Sequence, residues 1–218
     1  MDARMTPSTR AGVMVAGIIG GVISMEHGLF EVLQGSTLTG GAVINAIGPA
    51  QRFWENGGEM ALTLIPNFLA SGICAMIIGV LVIIWSIGFI HRRFGALGFF
   101  LLQCLQLLLG GGIAFFSVAL IMSITATRIG RPLRWWRGRV PLGVRRALGS
   151  LWLWLFIPAV VLFCLLILGG IFGVRFLDPA STTKALTISG YITLGLMTAA
   201  AVSSVARDSA IKGETAKG

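Results

Sequence analysis

Carboxylate, imidazole and amide side chains recur at helical spacing in the string Glu26-His27-Gly28-x-x-Glu31-x-x-Gln34. His27 and Glu31 are four residues apart and Gln34 lies three further on, so a continuous helix places all three on one face. A carboxylate beside an imidazole can pass a proton, hold a cation or bind the polar group of a ligand. The alternative is structural, because the same residues would also mark the outer end of a membrane helix. The sequence leaves both interpretations open.

Two glutamines form a second polar pair in an otherwise apolar stretch. Gln103 and Gln106 are three residues apart and therefore share a helix face. Within a membrane such side chains must be buried against a partner. We expect them either to hydrogen-bond neighbouring helices or to line a polar cavity together with the cluster of the first span, Glu26, His27, Glu31 and Gln34.

Motifs of known catalytic or cofactor sites are missing from the sequence. It contains no GxSxG, HExxH or P-loop pattern. The three cysteines, Cys74, Cys104 and Cys164, are isolated in separate apolar runs and form no ligand pair. The second histidine, His91, falls on the opposite side of the predicted membrane from His27, so the two cannot share a haem iron. The sequence therefore predicts no cofactor and no metal, and gives no support for an enzyme.

The composition predicts an integral membrane protein. Of the 218 residues, 56% are hydrophobic and only 11% are charged, whereas soluble domains carry roughly 25% charged residues. Several uncharged runs are long enough to span about 30 Å of hydrocarbon. The net charge is +9. The lysines and arginines responsible for it are concentrated in segments predicted to be cytoplasmic, as is usual for membrane proteins, so we do not predict nucleic-acid binding.

The uncharged stretch from Phe94 to Thr127 decides the topology. It is interrupted by Gly110-Gly111-Gly112, preceded by Arg92-Arg93 and followed by a block of arginines without any acid. A single crossing would place the two basic segments on opposite faces, against the positive-inside tendency. Two crossings place both in the cytoplasm and make the triple glycine an outer turn. The downstream block contains Arg128, Arg131, Arg134, Arg137, Arg139, Arg145 and Arg146.

We therefore predict an all-α integral membrane protein, a six-helix transmembrane bundle with both termini in the cytoplasm. One domain covers residues 1–206 and a polar cytoplasmic tail covers 207–218. Of the 17 Lys and Arg, only Arg52, Arg175 and Lys184 then lie outside. The first span is flanked like a signal peptide, but we expect it to be retained, because apolar sequence resumes beyond it. The predicted spans are about 11–33, 60–90, 94–110, 113–127, 151–172 and 185–205.

Small residues predict which helix faces pack closely. The first span has a GxxxG pair at Gly17 and Gly21, and the fifth has one at Gly169 and Gly173. Such pairs allow helix backbones to approach each other in lipid.

Basic and aromatic residues alternate in the loop after the fourth span. Tryptophan and arginine at head-group level suit an anionic leaflet, whereas a short loop leaves little room for a nucleic acid. The predicted partners are the bilayer, anionic lipids at the cytoplasmic face, and a membrane protein or a second copy of the chain. The residues predicted to contact lipid head groups are Arg128, Arg131, Arg134, Trp135, Trp136 and Arg137.

The string from Glu26 to Gly35 resembles one found in uncharacterised prokaryotic multi-pass membrane proteins. The turn Leu64-Ile65-Pro66-Asn67, the tripeptide His91-Arg92-Arg93 and the triple glycine add to the resemblance, which covers roughly residues 20–128. It implies a bacterial or archaeal membrane location. It implies no activity, and no functional residue is transferred from it.

Taken together, these patterns favour a multi-pass protein of a prokaryotic cytoplasmic (inner) membrane. We expect it to bind or transport a small polar ligand, an ion or a proton through an outer-facing polar cluster. The alternative is a non-catalytic membrane subunit or scaffold that packs against a partner protein. The candidate site residues are His27, Glu31, Gln34, Glu26, Gln103 and Gln106.

Overall fold

The structure is a computed structural model that describes residues 7–46, 60–131 and 133–214. It is predominantly helical. Four helical segments are long and apolar enough to cross a membrane, namely 8–33, 68–88, 142–170 and 179–211. The elements are α1 (Ser8–Leu33), β1 (Val43–Asn45), β2 (Met60–Leu62), α2 (Phe68–Gly88), α3 (Gly95–Leu108), α4 (Phe116–Ala126), α5 (Arg134–Arg139), α6 (Leu142–Ser150), α7 (Trp152–Phe172), a 3₁₀ turn (Gly173–Arg175) and α8 (Pro179–Glu214).

The α1 and α2 helices pack against each other through reciprocal glycine contacts. A Cβ atom on Gly21 would lie 2.5 Å from the carbonyl oxygen of Gly79, and one on Gly28 would lie 2.5 Å from that of Gly72. Both pairs are seven residues apart on their own helix, so they lie on one face. This contact places the two backbones side by side over most of the length of α1.

The hairpin of α3 and α4 is shorter than the other helices. At about 1.5 Å per residue, α3 is about 21 Å long and α4 about 16 Å, so neither helix alone crosses about 30 Å of hydrocarbon. Gly110 and Gly112, in the turn between them, have φ angles of +94° and +88°. Those values favour glycine, which is why the turn can reverse the chain so sharply.

The turn Gly110–Gly112, which we call the glycine turn, is held by the residues around β2. Gly110 donates its N–H to the carbonyl of Leu62 (2.9 Å), and Leu64 donates to Leu108 (3.0 Å). The β2 strand also pairs with β1 in antiparallel register. Irregular backbone at this end of the bundle therefore has its hydrogen bonds satisfied by protein.

Both ends of the described chain meet at the other end of the bundle. The carboxylate of Asp208, in α8, accepts the N–H groups of Ser8 (2.9 Å) and Thr9 (3.1 Å) at the start of α1. Arg145, in α6, donates to the carbonyl of Ser209 (2.7 Å). We call this the arginine end, because the turn that contains Arg92 also lies here.

The structure defines two predicted segments more closely. The second span, predicted within 60–90, contains α2, which begins at Phe68 because residues 60–62 pair as β2 and the Asn67 side chain caps the helix by accepting the N–H of Ala70 (3.1 Å). The polar tail predicted from residue 207 is helical up to Glu214, and Asp208, Ser209 and Ala210 are buried. The capping contact of Asp208 explains this burial.

Candidate functional site

The glycine turn lies directly on the polar residues of α1. A Cβ atom on Gly112 would be 2.9 Å from Nε2 of His27, and one on Gly110 would be 2.5 Å from Oε1 of Glu31. A Cβ atom on Gly111 would be 2.7 Å from the hydroxyl of Ser24. Three consecutive glycines thus allow the backbone of the turn to cover this face of α1.

Glu31 is the most deeply buried ionisable residue of the site. Its exposed fraction is 0%, and neither carboxylate oxygen has a hydrogen-bond partner within the described part of the chain. The nearby Ser71 hydroxyl donates instead to the hydroxyl of Thr63 (2.7 Å). A carboxylate buried in this way is costly if ionised and unpaired, which favours a bound proton or cation at this position.

His27 and Glu26 connect this carboxyl group with a partly exposed position. The imidazole is 5% exposed, and its Nδ1 lies 3.0 Å from the carbonyl oxygen of Ile23 and 3.3 Å from Oε2 of Glu26. The Glu26 side chain is 29% exposed. Along α1 the order Glu26, His27, Glu31 therefore leads from a half-exposed carboxylate to a fully buried one.

The glutamines of α3 are buried, as predicted. Gln106 donates its Nε2 to the carbonyl oxygen of Gly20 (3.0 Å), which ties α3 to α1, while its Oε1 has no described partner. Gln103 is 2% exposed, and its Nε2 is likewise without a described partner. The prediction of hydrogen bonding between helices is confirmed for Gln106.

Gln34 does not join the site. Its amide nitrogen donates to the backbone carbonyls of Asn45 (3.1 Å) and Ala46 (2.7 Å), which fixes β1 to the end of α1. Its role in the structure is therefore to hold β1, which pairs with β2, at the end of α1. We define the polar cluster by the residues that do meet: Ser24, His27, Glu31, Ser71 and Gln106.

A cavity of about 370 Å³ opens onto the polar cluster between α1, α4, α7 and α8. Glu26, His27 and Gly112 line one part of it, while Phe115 and Phe163 contribute to its apolar walls. These two rings pack edge to face with 5.7 Å between their centroids. The cavity gives Glu26 and His27 access that Glu31 lacks.

The sequence did not single out two hydroxyl groups of the cluster, Ser24 and Ser71. Ser24 is 0% exposed and donates to the carbonyl of Ala75 (2.8 Å), and Ser71 is 0% exposed. One signal was available for Ser24, because it lies three residues before His27 and seven before Glu31, on the same helix face.

The residues predicted to contact lipid head groups lie around α5, at the arginine end. Arg128, Arg131, Arg134 and Trp135 are exposed. Trp136 and Arg137 are half-buried, and Trp136 packs edge to face against Trp135 with 5.9 Å between the ring centroids.

His91 lies in the turn after α2, at the arginine end, so it is remote from His27. Within the described residues no three His, Cys, Asp or Glu side chains converge on a point where a metal ion could bind. Comparisons with protein families, with curated proteins and with solved structures find no match to this chain. The interpretation of the site therefore depends on its geometry.

Proposed function

We propose that this is a six-span protein of a prokaryotic cytoplasmic membrane with both termini in the cytoplasm, in which the hairpin of α3 and α4 counts as two short spans although each helix is shorter than the hydrocarbon core. The contact between Asp208 and Ser8 supports an even number of crossings, because it brings the two ends of the described chain together. The concentration of arginines at that same end supports its cytoplasmic orientation.

Within this topology, we propose that the polar cluster binds a proton and passes it along α1. Among the ligands expected from the sequence, a proton fits best. The described residues offer no set of three anionic or imidazole ligands for a metal ion, and the space beside Glu31 is filled by the glycine turn.

The burial of Glu31 is the observation that carries this proposal. Ionisable side chains inside a membrane are costly and mark proton or ion pathways. A carboxyl group that only filled space could be replaced by glutamine without loss, whereas a proton site needs a group that can release its proton. This difference makes the proposal testable.

The path runs from the cavity to Glu26, His27 and Glu31. Glu26 is partly exposed, and its carboxylate lies 3.3 Å from Nδ1 of His27. Imidazole can accept a proton on one nitrogen and release one from the other, so His27 is suited to connect the two carboxyl groups.

Proton flux into liposomes tests the proposal. The purified protein is reconstituted into liposomes that contain a pH-sensitive dye, and a pH gradient is imposed with a potassium ionophore present. We expect flux from the wild type, and flux at the level of protein-free liposomes from Glu31→Gln and His27→Ala. Asp178→Asn, which removes one carboxylate outside the cluster, should retain the flux. Wild-type flux no greater than that of empty liposomes, or unchanged flux in Glu31→Gln, would contradict the proposal.

A second candidate is a non-catalytic subunit. It is favoured by the open face of α8 at Gly195, which is exposed and where a Cβ atom would contact nothing within 4 Å. A small residue at an uncovered helix face permits close packing of another helix in lipid. Copurification of a partner at fixed stoichiometry, lost on Gly195→Leu, would support this function over proton transfer.

A further inference from the structure

A groove of about 630 Å³ runs between α3 and α4 at the arginine end of the bundle. It lies at the opposite end from the polar cluster and is independent of the proposed proton site. Three arginines, Arg92, Arg93 and Arg131, line its mouth together with His91.

The groove is strongly electropositive, because no acidic side chain of the described residues lines it. The sequence reinforces this imbalance, since residues 60–177 contain no Asp or Glu at all. Asp208, an acid at this end of the bundle, is engaged elsewhere, because it accepts hydrogen bonds from the start of α1.

The charges of neighbouring arginines also act on His91. Desolvation, followed by the charges of Arg10 and Arg92, lowers its pKa from the ordinary value of 6.5. The basic side chains around this turn thus come from α1 and the α2–α3 turn, with Arg131 added from the segment after α4. An anion is the ligand that this arrangement would attract.

The rest of the groove is apolar and open to the surroundings of the bundle. Its walls include Leu97 (54% exposed), Leu120 (42%) and Ile124 (58%). A free inorganic anion would gain nothing from these side chains, whereas a hydrocarbon chain would pack against them. The ligand should therefore combine an anionic group with an apolar chain.

We propose that this groove binds an anionic phospholipid, with its phosphate at Arg92 and Arg93 and one acyl chain between α3 and α4. Guanidinium groups match the geometry of phosphate oxygens and can donate two parallel hydrogen bonds. The short α3–α4 hairpin offers less apolar surface than the long helices, and a bound acyl chain would extend that surface.

Native mass spectrometry of the full chain in detergent, titrated with single lipids, tests the assignment. We expect phosphatidylglycerol to bind more tightly than phosphatidylcholine. The double substitution Arg92→Ala/Arg93→Ala should weaken phosphatidylglycerol binding about thirtyfold, from about fivefold for each arginine near the surface. The matched control, Arg139→Ala/Arg175→Ala, removes the same charge at exposed positions outside the groove and should retain the affinity.

Two further measurements test whether the apolar wall contributes to binding and whether the ligand is a lipid or free phosphate. Leu120→Trp, which fills the groove without changing charge, should also weaken phosphatidylglycerol binding. Inorganic phosphate should bind far more weakly than the lipid. Equal affinity for the two lipids, no effect of Arg92→Ala/Arg93→Ala, or inorganic phosphate binding as tightly as phosphatidylglycerol would each overturn the proposal.

Discussion

Gly112 lies against the imidazole of His27, so closely that a Cβ atom on Gly112 would be 2.9 Å from Nε2. These residues are far apart in the sequence and come from different helical hairpins. Their contact makes the glycine turn part of the polar cluster as well as a connection between α3 and α4. Changes in the turn should therefore affect both stability and the proton site.

Gly110→Ala should destabilise the protein through two separate effects. The φ angle of +94° is unfavourable for alanine, which costs about 1–2 kcal/mol, and the new Cβ atom would collide with the carboxyl group of Glu31. Gly130→Ala provides the matched control, because its φ angle is +70° but its Cβ atom would contact nothing within 4 Å. Thermal unfolding in detergent should show the larger loss for Gly110→Ala. Equal losses would contradict the contact between Gly110 and Glu31.

The glycine pairs between α1 and α2 predict that two glycines of α2 respond differently to substitution by alanine. Alanine at Gly79 would place its Cβ atom 2.6 Å from the carbonyl oxygen of Gly21, so the helices would have to separate. Overpacking of this kind typically costs about 1–3 kcal/mol. Gly88→Ala, on the same helix with open space around it, should be neutral or slightly stabilising. A comparison of the two midpoints of unfolding checks this prediction.

Asp208→Ala should release the start of α1. The carboxylate accepts the N–H groups of Ser8 and Thr9, and the loss of a helix cap costs about 0.5–2 kcal/mol. Hydrogen exchange of those two amides should accelerate. Asp208→Asn keeps one acceptor oxygen and should retain part of the protection. Unchanged exchange in Asp208→Ala would show that the contact does not contribute.

We predict that Asp178 stabilises the start of α8 and that this stabilisation is lost at low pH. Hydrogen bonds from the side chain and the backbone N–H of Ser181 hold the pKa of Asp178 below its ordinary value of 3.8. A carboxyl group whose pKa is lower in the folded state stabilises the fold above the unfolded pKa and loses that contribution as pH falls through the folded pKa. Acid unfolding of Asp178→Asn should therefore show a weaker pH dependence in this range than that of the wild type.

Much of the helical architecture follows from the sequence. Uncharged runs and the triple glycine indicated the helices and the break between α3 and α4, and the fifth predicted span, 151–172, corresponds to α7. The start of α2 was left open within 60–90, because Met60–Leu62 is as apolar as the helix that follows. The strand forms because its backbone pairs with β1, and hydrophobicity alone does not reveal such pairing.

The site was only partly predictable for a related reason. Helical periodicity placed His27 and Glu31 on one face, and that prediction needs only the local geometry of α1. The contact of this face with Gly110 and Gly112 depends on how two hairpins pack, which no local pattern encodes. Gln34 shares the spacing, but its backbone partners at Asn45 and Ala46 lie beyond the helix.

The proton state of Glu31 is the central claim, and infrared spectroscopy tests it most directly. Difference spectra between wild type and Glu31→Gln at neutral pH should contain the C=O stretch of one protonated carboxyl group. The same band should persist in Asp178→Asn. If the wild type lacks this band at neutral pH, and its spectrum differs from that of Glu31→Gln only by an ionised carboxylate, Glu31 does not hold a proton and the proposed function is wrong.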